Sequence, residues 1–402
     1  MYYIQLALIS MYYLVGAYLL FYSFYLFYLS VLSALFSTRP NPTAVVKEWK
    51  MEKLLILFPA YQPNSQLIEA VKAAKNINCD GREVEILVLL QNDIYGIKYL
   101  LDKFDMTIIE KSFKDAKGNP YHEALRFCAK EATKRDASHI LLLDKDNIAN
   151  PDFIQNIKLY GNKTADIWQG KRTAINSETK SAVYDGISEK LNDALLREAK
   201  QVQGLPPELS GSALLFKIEA FNIATRNLDA RAPGMDKNLL IQLLLANKKI
   251  SYVPDAQVLE EKTDNNEVIK KQRIRWFGNQ YFNAFYWGKA LLLKGKPATL
   301  DYAITLYRPP RSIQMVILPI LASLEITFNI NYIFALSTIL TFTGILVFLV
   351  KEKIWQEAFK IAFTLPRMAF DNLKSALKGS SKKQQGKFIS TERIASNKKD
   401  AA

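Results

Sequence analysis

The sequence predicts an α/β domain on a parallel sheet, tied to a membrane by about three helices. Three observations predict it. Between residues 53 and 143, short apolar runs alternate with amphipathic stretches, the pattern of strands covered by helices on both faces. The N-terminus is apolar and carries no charge before Arg39, and a second apolar block fills residues 313–350.

Residues Met1 to Phe36 are dominated by Tyr, Leu, Phe and Val. About 20 apolar residues suffice to span a bilayer. A cleaved signal peptide would need a basic start and a small-residue cleavage site, and neither is clear, so an anchor helix is expected, tilted because it is long. Leu54 to Phe58 reads as a buried strand closed by Pro59-Ala-Tyr-Gln-Pro63. Gln66 to Ile77 places Leu67, Ile68, Val71 and Ala74 at helical spacing. Val84 to Leu90 is a second strand, ending at Gln91-Asn-Asp93, and Met106 to Glu110 a third. His122 to Arg135 is helical, and Ile140 to Leu143 is a fourth strand running into Asp144. Tyr61, Asn92, Asp93, Asp144 and Asp146 thus stand at strand ends, where open α/β sheets bind ligands.

Ile313 to Phe328 and Tyr332 to Val350 are separated by Asn329-Ile-Asn331 and read as two spans, with a buried apolar hairpin as the alternative. Glu325 is the one charge inside them. Glu352 to Leu377 is amphipathic and broken near Pro366. Its Trp355, Phe359, Phe363, Met368 and Phe370 among Lys and Arg suit a membrane interface, or an ordinary packing helix. Lys378 to Lys387 reads as a basic linker. The expected divisions are an anchor at 1–38, an α/β domain at 39–307, two spans at 308–351, and an interface helix with a basic tail at 352–402.

Basic residues set the expected orientation. Arg39, Lys47, Lys50 and Lys53 follow the first apolar segment, Arg308 and Arg311 precede the second, and Lys351 and Lys353 follow the third. With three spans all lie on one side, which the positive-inside rule makes cytosolic, so a multi-pass protein of the inner or plasma membrane is expected. The net charge of +14 is concentrated beside the spans and in the tail, which fits anionic lipid; no nucleic-acid module is present. Cys79 and Cys128 lack metal spacing and agree with a reducing compartment, and His122 and His139 read as structural.

Three motifs carry the chemistry, in one order. His139-Ile-Leu-Leu-Leu-Asp-Lys-Asp146 delivers Asp144 and Asp146 from a strand end, where oxygen ligands suit Mg²⁺ or Mn²⁺ and hence a diphosphate. Gly234-Met-Asp236 offers a lone acid in a Pro/Gly turn before a helix, a place where Asp is also a favoured N-cap. Gln272-Arg-Ile-Arg-Trp276 sets Arg273 and Arg275 to grip phosphate and Trp276 to stack on a sugar or base, unless they are a membrane-interface pair. An Asp-x-Asp alone is common by chance, so order and setting give these motifs their weight. There is no Gly-x-Gly-x-x-Gly and no Walker loop, which argues against dehydrogenases and kinases.

With these residues the chain resembles the family 2 glycosyltransferases, inverting enzymes of the GT-A fold, a Rossmann-like nucleotide-diphospho-sugar transferase domain. Within them it resembles the membrane-bound synthase-like branch of cellulose, hyaluronan and chitin synthases and ceramide glucosyltransferase. The similarity covers about Lys53 to Trp276. Phe58-Pro59-Ala-Tyr61 resembles the opening segment beside the nucleotide, and Lys117-Gly118 with Ala124-Leu125 a Gly-Lys-x-x-Ala-Leu region. Leu143-Asp-Lys-Asp-Asn147 is similar to the metal-binding Asp-x-Asp, and Leu209-Ser-Gly-Ser212 to a small-residue loop near the acceptor. Val253-Pro-Asp-Ala256 with Glu260-Glu261 is similar to the strand before the last motif, and Gln272, Arg273, Arg275 and Trp276 to Gln-x-x-Arg-Trp. Phe388 to Arg393 is faintly similar to a gating loop.

The resemblance implies a UDP-linked sugar donor, held by Pro59, Tyr61, Asn92, Asp93, Lys117 and Asp144, with Mg²⁺ or Mn²⁺ on Asp144 and Asp146. It implies Asp236 as base, Arg273 or Arg275 on the diphosphate, and Gln272 and Trp276 at the acceptor. Trp168, Gln169 and Lys171 would line the acceptor path, or Trp168 would belong to the core. The acceptor would be a saccharide or a lipid-linked group in cell-surface polysaccharide biosynthesis, with export or assembly partners. Two departures stand out: an acidic pair reduced to Asn92-Asp93, and Met235 where the acid before Asp236 is usual. The competing class is a non-catalytic scaffold of a surface-glycan assembly complex.

Overall fold

A computed structural model describes residues 2–36, 51–176, 179–262 and 266–381. Helix α1 (Tyr2–Leu35) leads to β1 (Lys53–Tyr61), α2 (Ser65–Lys75), β2 (Glu83–Gln91), α3 (Ile97–Leu101), β3 (Thr107–Glu110), α4 (Pro120–Lys134) and β4 (His139–Leu142). After β5 (Ile148–Ala149), α5 (Phe153–Tyr160) and β6 (Ile167–Ala174) come α6 (Lys180–Asn192), a π-helical turn (Asp193–Glu198), α7 (Ala199–Val202) and β7 (Leu214–Lys217). Next are α8 (Ile218–Arg226), α9 (Met235–Leu245), β8 (Ile250–Glu260), α10 (Asn266–Lys294) and α11 (Pro297–Leu306). The C-terminal part holds α12 (Arg311–Phe328), α13 (Ile333–Glu352), α14 (Trp355–Ala362) and α15 (Leu365–Gly379).

The strands form one eight-stranded sheet in the order β3-β2-β1-β4-β7-β6-β8-β5. The half read from sequence, β3-β2-β1-β4, is parallel as expected. The whole sheet is mixed, a correction to the all-parallel expectation, because β7 runs antiparallel to β4 and β6, and β5 antiparallel to β8. The register gives the reason. Leu214 at the start of β7 pairs with Leu142 at the end of β4, so the chain returns to the sheet at the edge where β4 leaves it. That return lays residues 208–213 over the strand ends, beside Asp144 to Asp146. Two fully buried apolar layers flank the sheet: Leu55, Leu57, Leu125, Leu142 and Phe221 on one face, and Ile56, Phe58, Val71, Leu141 and Phe153 on the other.

Three of the described helices, α1, α12 and α13, are long and apolar enough to cross a membrane. Small residues let α1 and α13 approach closely. A Cβ on Gly344 would stand 2.9 Å from Phe27 Cα, and Thr341 donates its hydroxyl hydrogen to Ser23 Oγ at 2.9 Å. The expected break in the amphipathic segment falls between α14 and α15, and α15 continues to Gly379, into the stretch read as a linker. The segment 388–393 lies outside the described residues.

His122 is fully buried, as a structural histidine should be. Its Nδ1 lies 3.0 Å from the Asp229 carbonyl and its Nε2 3.4 Å from the Asn119 amide nitrogen, a pattern that fits the neutral ring. Burial pulls its pKa from 6.5 down to about 4. The folded ring therefore binds fewer protons than the unfolded one, and its contribution to stability is complete above pH 6.5 and lost as pH falls towards 4. The thermal midpoint should drop over that interval, and His122→Gln should flatten the pH slope. An unchanged slope would show that His122 does not set it.

Candidate active site

A cavity of about 460 Å³ opens between the sheet edge, α9, α10 and the start of α12. Pro59, Tyr61, Asp144, Asp146, Asp236, Gln272, Arg273, Arg275 and Trp276 all line it, so residues far apart in sequence meet at one place. Asn92, Asp93 and Lys117 are not among its walls. Asp93 uses both carboxylate oxygens on α3, accepting from the backbone N–H of Ile97 at 3.0 Å and of Lys98 at 2.9 Å. Lys114 donates to Asn92 Oδ1 at 3.4 Å, and Lys117 is exposed in the loop before α4.

Asp144 and Asp146 leave the end of β4 in a turn shaped by Asn147, whose side-chain oxygen accepts the Asp144 N–H at 3.1 Å. Lys145, between them, also lines the cavity and ties β1 to this turn, donating to the Tyr61 carbonyl at 3.0 Å and the Gln62 carbonyl at 2.6 Å. Among the described residues no cluster of three or more His, Cys, Asp or Glu side chains surrounds one point. Two carboxylates one residue apart in one cavity wall are hard oxygen donors of the kind Mg²⁺ or Mn²⁺ takes at phosphate-transfer sites, where substrate oxygens and water complete the shell. Tyr121 lies close by. Burial, and then the Asp144 carboxylate, hold its phenol well above the usual range, while Arg275 opposes them. Arg275 lines the same cavity as Asp144.

Asp236 lies in the first turn of α9, whose N-cap is Gly234, so it does not cap the helix. Its Oδ1 accepts a 2.7 Å hydrogen bond from Asn279 Nδ2 on α10. The orientation of that amide is fixed in turn. Asn279 Oδ1 accepts from Asn283 at 2.8 Å, Asn283 Oδ1 from Asn238 at 2.9 Å, and Asn238 Oδ1 from the Asp229 backbone N–H at 2.8 Å. All three asparagines are buried, and a satisfied buried network of this kind holds its members in one geometry. A Cβ on Gly234 would come within 2.8 Å of Asn279 Nδ2, so glycine there permits the contact. Gly211 (φ 91°) packs on the other side, with Asp236 Cβ 3.8 Å from where its own Cβ would be.

The small-residue loop owes its shape to Gln169, fully buried on β6. Its Nε2 donates to the Ser212 carbonyl at 3.1 Å and its Oε1 accepts the Ser210 N–H at 2.8 Å. Trp168 faces the core, 3 % exposed, with Nε1 donating to the Asn162 carbonyl, which resolves that residue as core. Neither Trp168 nor Lys171 lines the cavity.

Arg273 is held inside the cavity by two other lining residues, 3.4 Å from Asp185 and over the ring of Tyr184, and Trp276 is half-exposed. A ladder of alternating charge stiffens one wall. Glu189 contacts Arg172 at 2.7 Å and Lys262, and Glu260 contacts Arg172 at 3.3 Å and Lys262 at 3.2 Å. Burial would raise the Glu189 pKa, but the two cations outweigh it and hold it below the usual range. Asn279, Asn283, Glu208 and Tyr121 were not foreseen. The signal for the first two was present, since Gln272, Trp276, Asn279 and Asn283 recur at helical spacing on α10 and mark a polar stripe.

The family described as glycosyl transferase family group 2 has a sequence model that matches residues 139–350, more than half of the chain. No curated protein matches. Among solved structures, the mannosyltransferase PcManGT from Pyrobaculum calidifontis, in complex with GDP-Man and Mn²⁺, is similar in fold. Its identity is 13%, with a TM-score of 0.51, over 84% of this chain and 96% of that one. TarS 1–349 from S. aureus, in complex with UDP-GlcNAc, shows 11% identity and a TM-score of 0.38 over 77% of this chain and 92% of that one.

Proposed function

The chain belongs to glycosyl transferase family group 2, and from that premise we propose that it is a membrane-anchored inverting glycosyltransferase. It transfers a sugar from a nucleotide-diphospho-sugar, UDP-linked by preference, to a saccharide or lipid-linked acceptor in surface-glycan synthesis. The observation that carries this reading is the single carboxylate of Asp236, held by Asn279 in the same cavity as Asp144 and Asp146.

In this mechanism the second oxygen of Asp236 takes the proton of an acceptor hydroxyl. The hydroxyl oxygen forms a bond to the anomeric carbon as the bond from that carbon to the diphosphate oxygen breaks. The electron pair departs on the nucleoside diphosphate. One base and one displacement invert the anomeric centre, so an α-linked donor gives a β-linkage. Arg275, in the wall of the same cavity, steadies the diphosphate. Trp276 offers an apolar face to the acceptor at the mouth. Asp144 and Asp146 would hold Mg²⁺ or Mn²⁺, whose chemistry is to offset the charge that develops on the departing diphosphate. The positive flanks of the three apolar helices support a cytosolic catalytic domain.

Membranes containing the protein, supplied with a panel of labelled nucleotide-sugars, should transfer label from one or a few of them to larger or lipid-soluble product. Transfer from none, with the fold intact, would favour the scaffold reading.

A further inference from the structure

We infer that Asn238, Asn283 and Asn279 are positioning residues for the base: a one-way hydrogen-bond relay that reserves Oδ2 of Asp236 for the proton of the acceptor hydroxyl. This rests on Asp236 being the base of a transferase, and adds how the fold equips it for that step.

The direction of the relay comes from its far end. An amide side chain accepts at one atom and donates at the other, so a row of amides can run either way until one end is fixed. Here a backbone group fixes it. The Asp229 N–H can only donate, and it meets Asn238 Oδ1 at 2.8 Å. Asn238 is left to present Nδ2 to Asn283 Oδ1, at 2.9 Å. Asn283 then donates to Asn279 Oδ1 at 2.8 Å, which turns Asn279 Nδ2 towards Asp236 Oδ1 at 2.7 Å.

Two further bonds hold this order. The peptide that carries the Asp229 N–H is gripped on its other side, where the Leu228 carbonyl accepts from Arg126. The middle link is locked as well, because Asn283 Nδ2 also donates to the Asn279 backbone carbonyl at 2.8 Å. A reversed relay would set N–H against N–H at Asp229 and oxygen against oxygen at Asp236. All three asparagines are buried, and mismatched polar groups at that depth are costly.

The chemical consequence falls on Asp236. A proton on Oδ1 would oppose the Asn279 N–H, so the proton of the acceptor must go to Oδ2. That oxygen has no hydrogen-bond partner among the described residues, and Asp236 lines the cavity. As the acceptor O–H bond breaks, the Oδ2–H bond forms, and the relay keeps the same direction before and after. It holds the base and carries no proton, which leaves from Oδ2 by way of the cavity. Asp236 and Asn238 are two residues apart on α9, so their side chains leave the helix in different directions, and the relay joins them through α10. Asn238 and Asn283 are not among the cavity walls. An effect of either on turnover therefore reaches the chemistry through the relay.

The full chain in non-ionic detergent is assayed with the labelled nucleotide-sugar that the wild type turns over fastest, and binding of UDP is measured separately. Asn238→Leu keeps the volume of the side chain and removes the anchor. It should lower kcat by about tenfold to a hundredfold, the effect of a misplaced catalytic group, with KM for the nucleotide-sugar and UDP binding near wild type. Asn283→Ala cuts the middle link and should give the same split, so the test survives if one variant does not fold. Gln242 is a buried amide one turn further along α9 and outside the relay; Gln242→Leu makes the same chemical change and should leave kcat unaltered. Added to Asp236→Asn, Asn238→Leu should lower the remaining turnover no further, since residues that act as one unit are not additive. Wild-type kcat in the folded asparagine variants, an equal loss in Gln242→Leu, or a full further loss in the double variant would overturn the relay. If Asp236→Asn is inactive while the asparagine variants turn over normally, only the relay falls. Wild-type turnover in Asp236→Asn would instead remove the base, and the relay's role with it.

Discussion

Asp236→Asn should lower the turnover of sugar transfer by about 10²-fold or more, mostly in kcat, while folding and donor binding survive. The substitution keeps the size of the side chain, and no cap is lost, because Gly234 and not Asp236 is the N-cap of α9. What disappears is the one carboxylate that Asn279 orients into the cavity. A purely structural role for Asp236 predicts the reverse pattern, a changed melting temperature with turnover near wild type. A folded Asp236→Asn protein with wild-type turnover would move the base elsewhere.

Asp146→Asn should abolish transfer and weaken donor binding, and a chelator should do the same to the wild type. Asp144 and Asp146 are the carboxylates at the end of β4, and in a site completed by substrate oxygens each supplies a large share of the charge. The turn around them is kept by Asn147 and Lys145, so the variant should still fold. Full activity in chelator would sink the metal assignment.

Much of the site was legible because its parts are local in sequence. An apolar strand ending in Asp144 and Asp146, and a helix carrying Gln272 to Trp276, each announce themselves within ten residues. The strands of the first half were legible for the same reason. The mixed character of the sheet was not, since the four residues of β7 carry no mark of direction. Their orientation follows from where the chain returns to the edge of β4. Asp93 stood at a strand end as donor-binding residues do, yet its two oxygens cap the short helix that follows. Helix α3 is only five residues long, too short for the sequence to show that it needed a cap. The asparagine relay behind Asp236 joins residues 229, 238, 279 and 283, and only the packing of α9 on α10 makes it one network. Arg308 and Arg311 read as topology signals from sequence. Their shared place in the cavity wall comes from the fold, which brings Arg308 to Glu208 a hundred residues earlier in the chain.

A single displacement assisted by one base fixes the stereochemistry of the product. NMR of the first product formed from an α-linked nucleotide-sugar, taken before any secondary equilibration, tests it most directly. A β-anomer is expected, with no covalent glycosyl-protein at any time point. An α-linked product, or a glycosylated carboxylate on the chain, would contradict it.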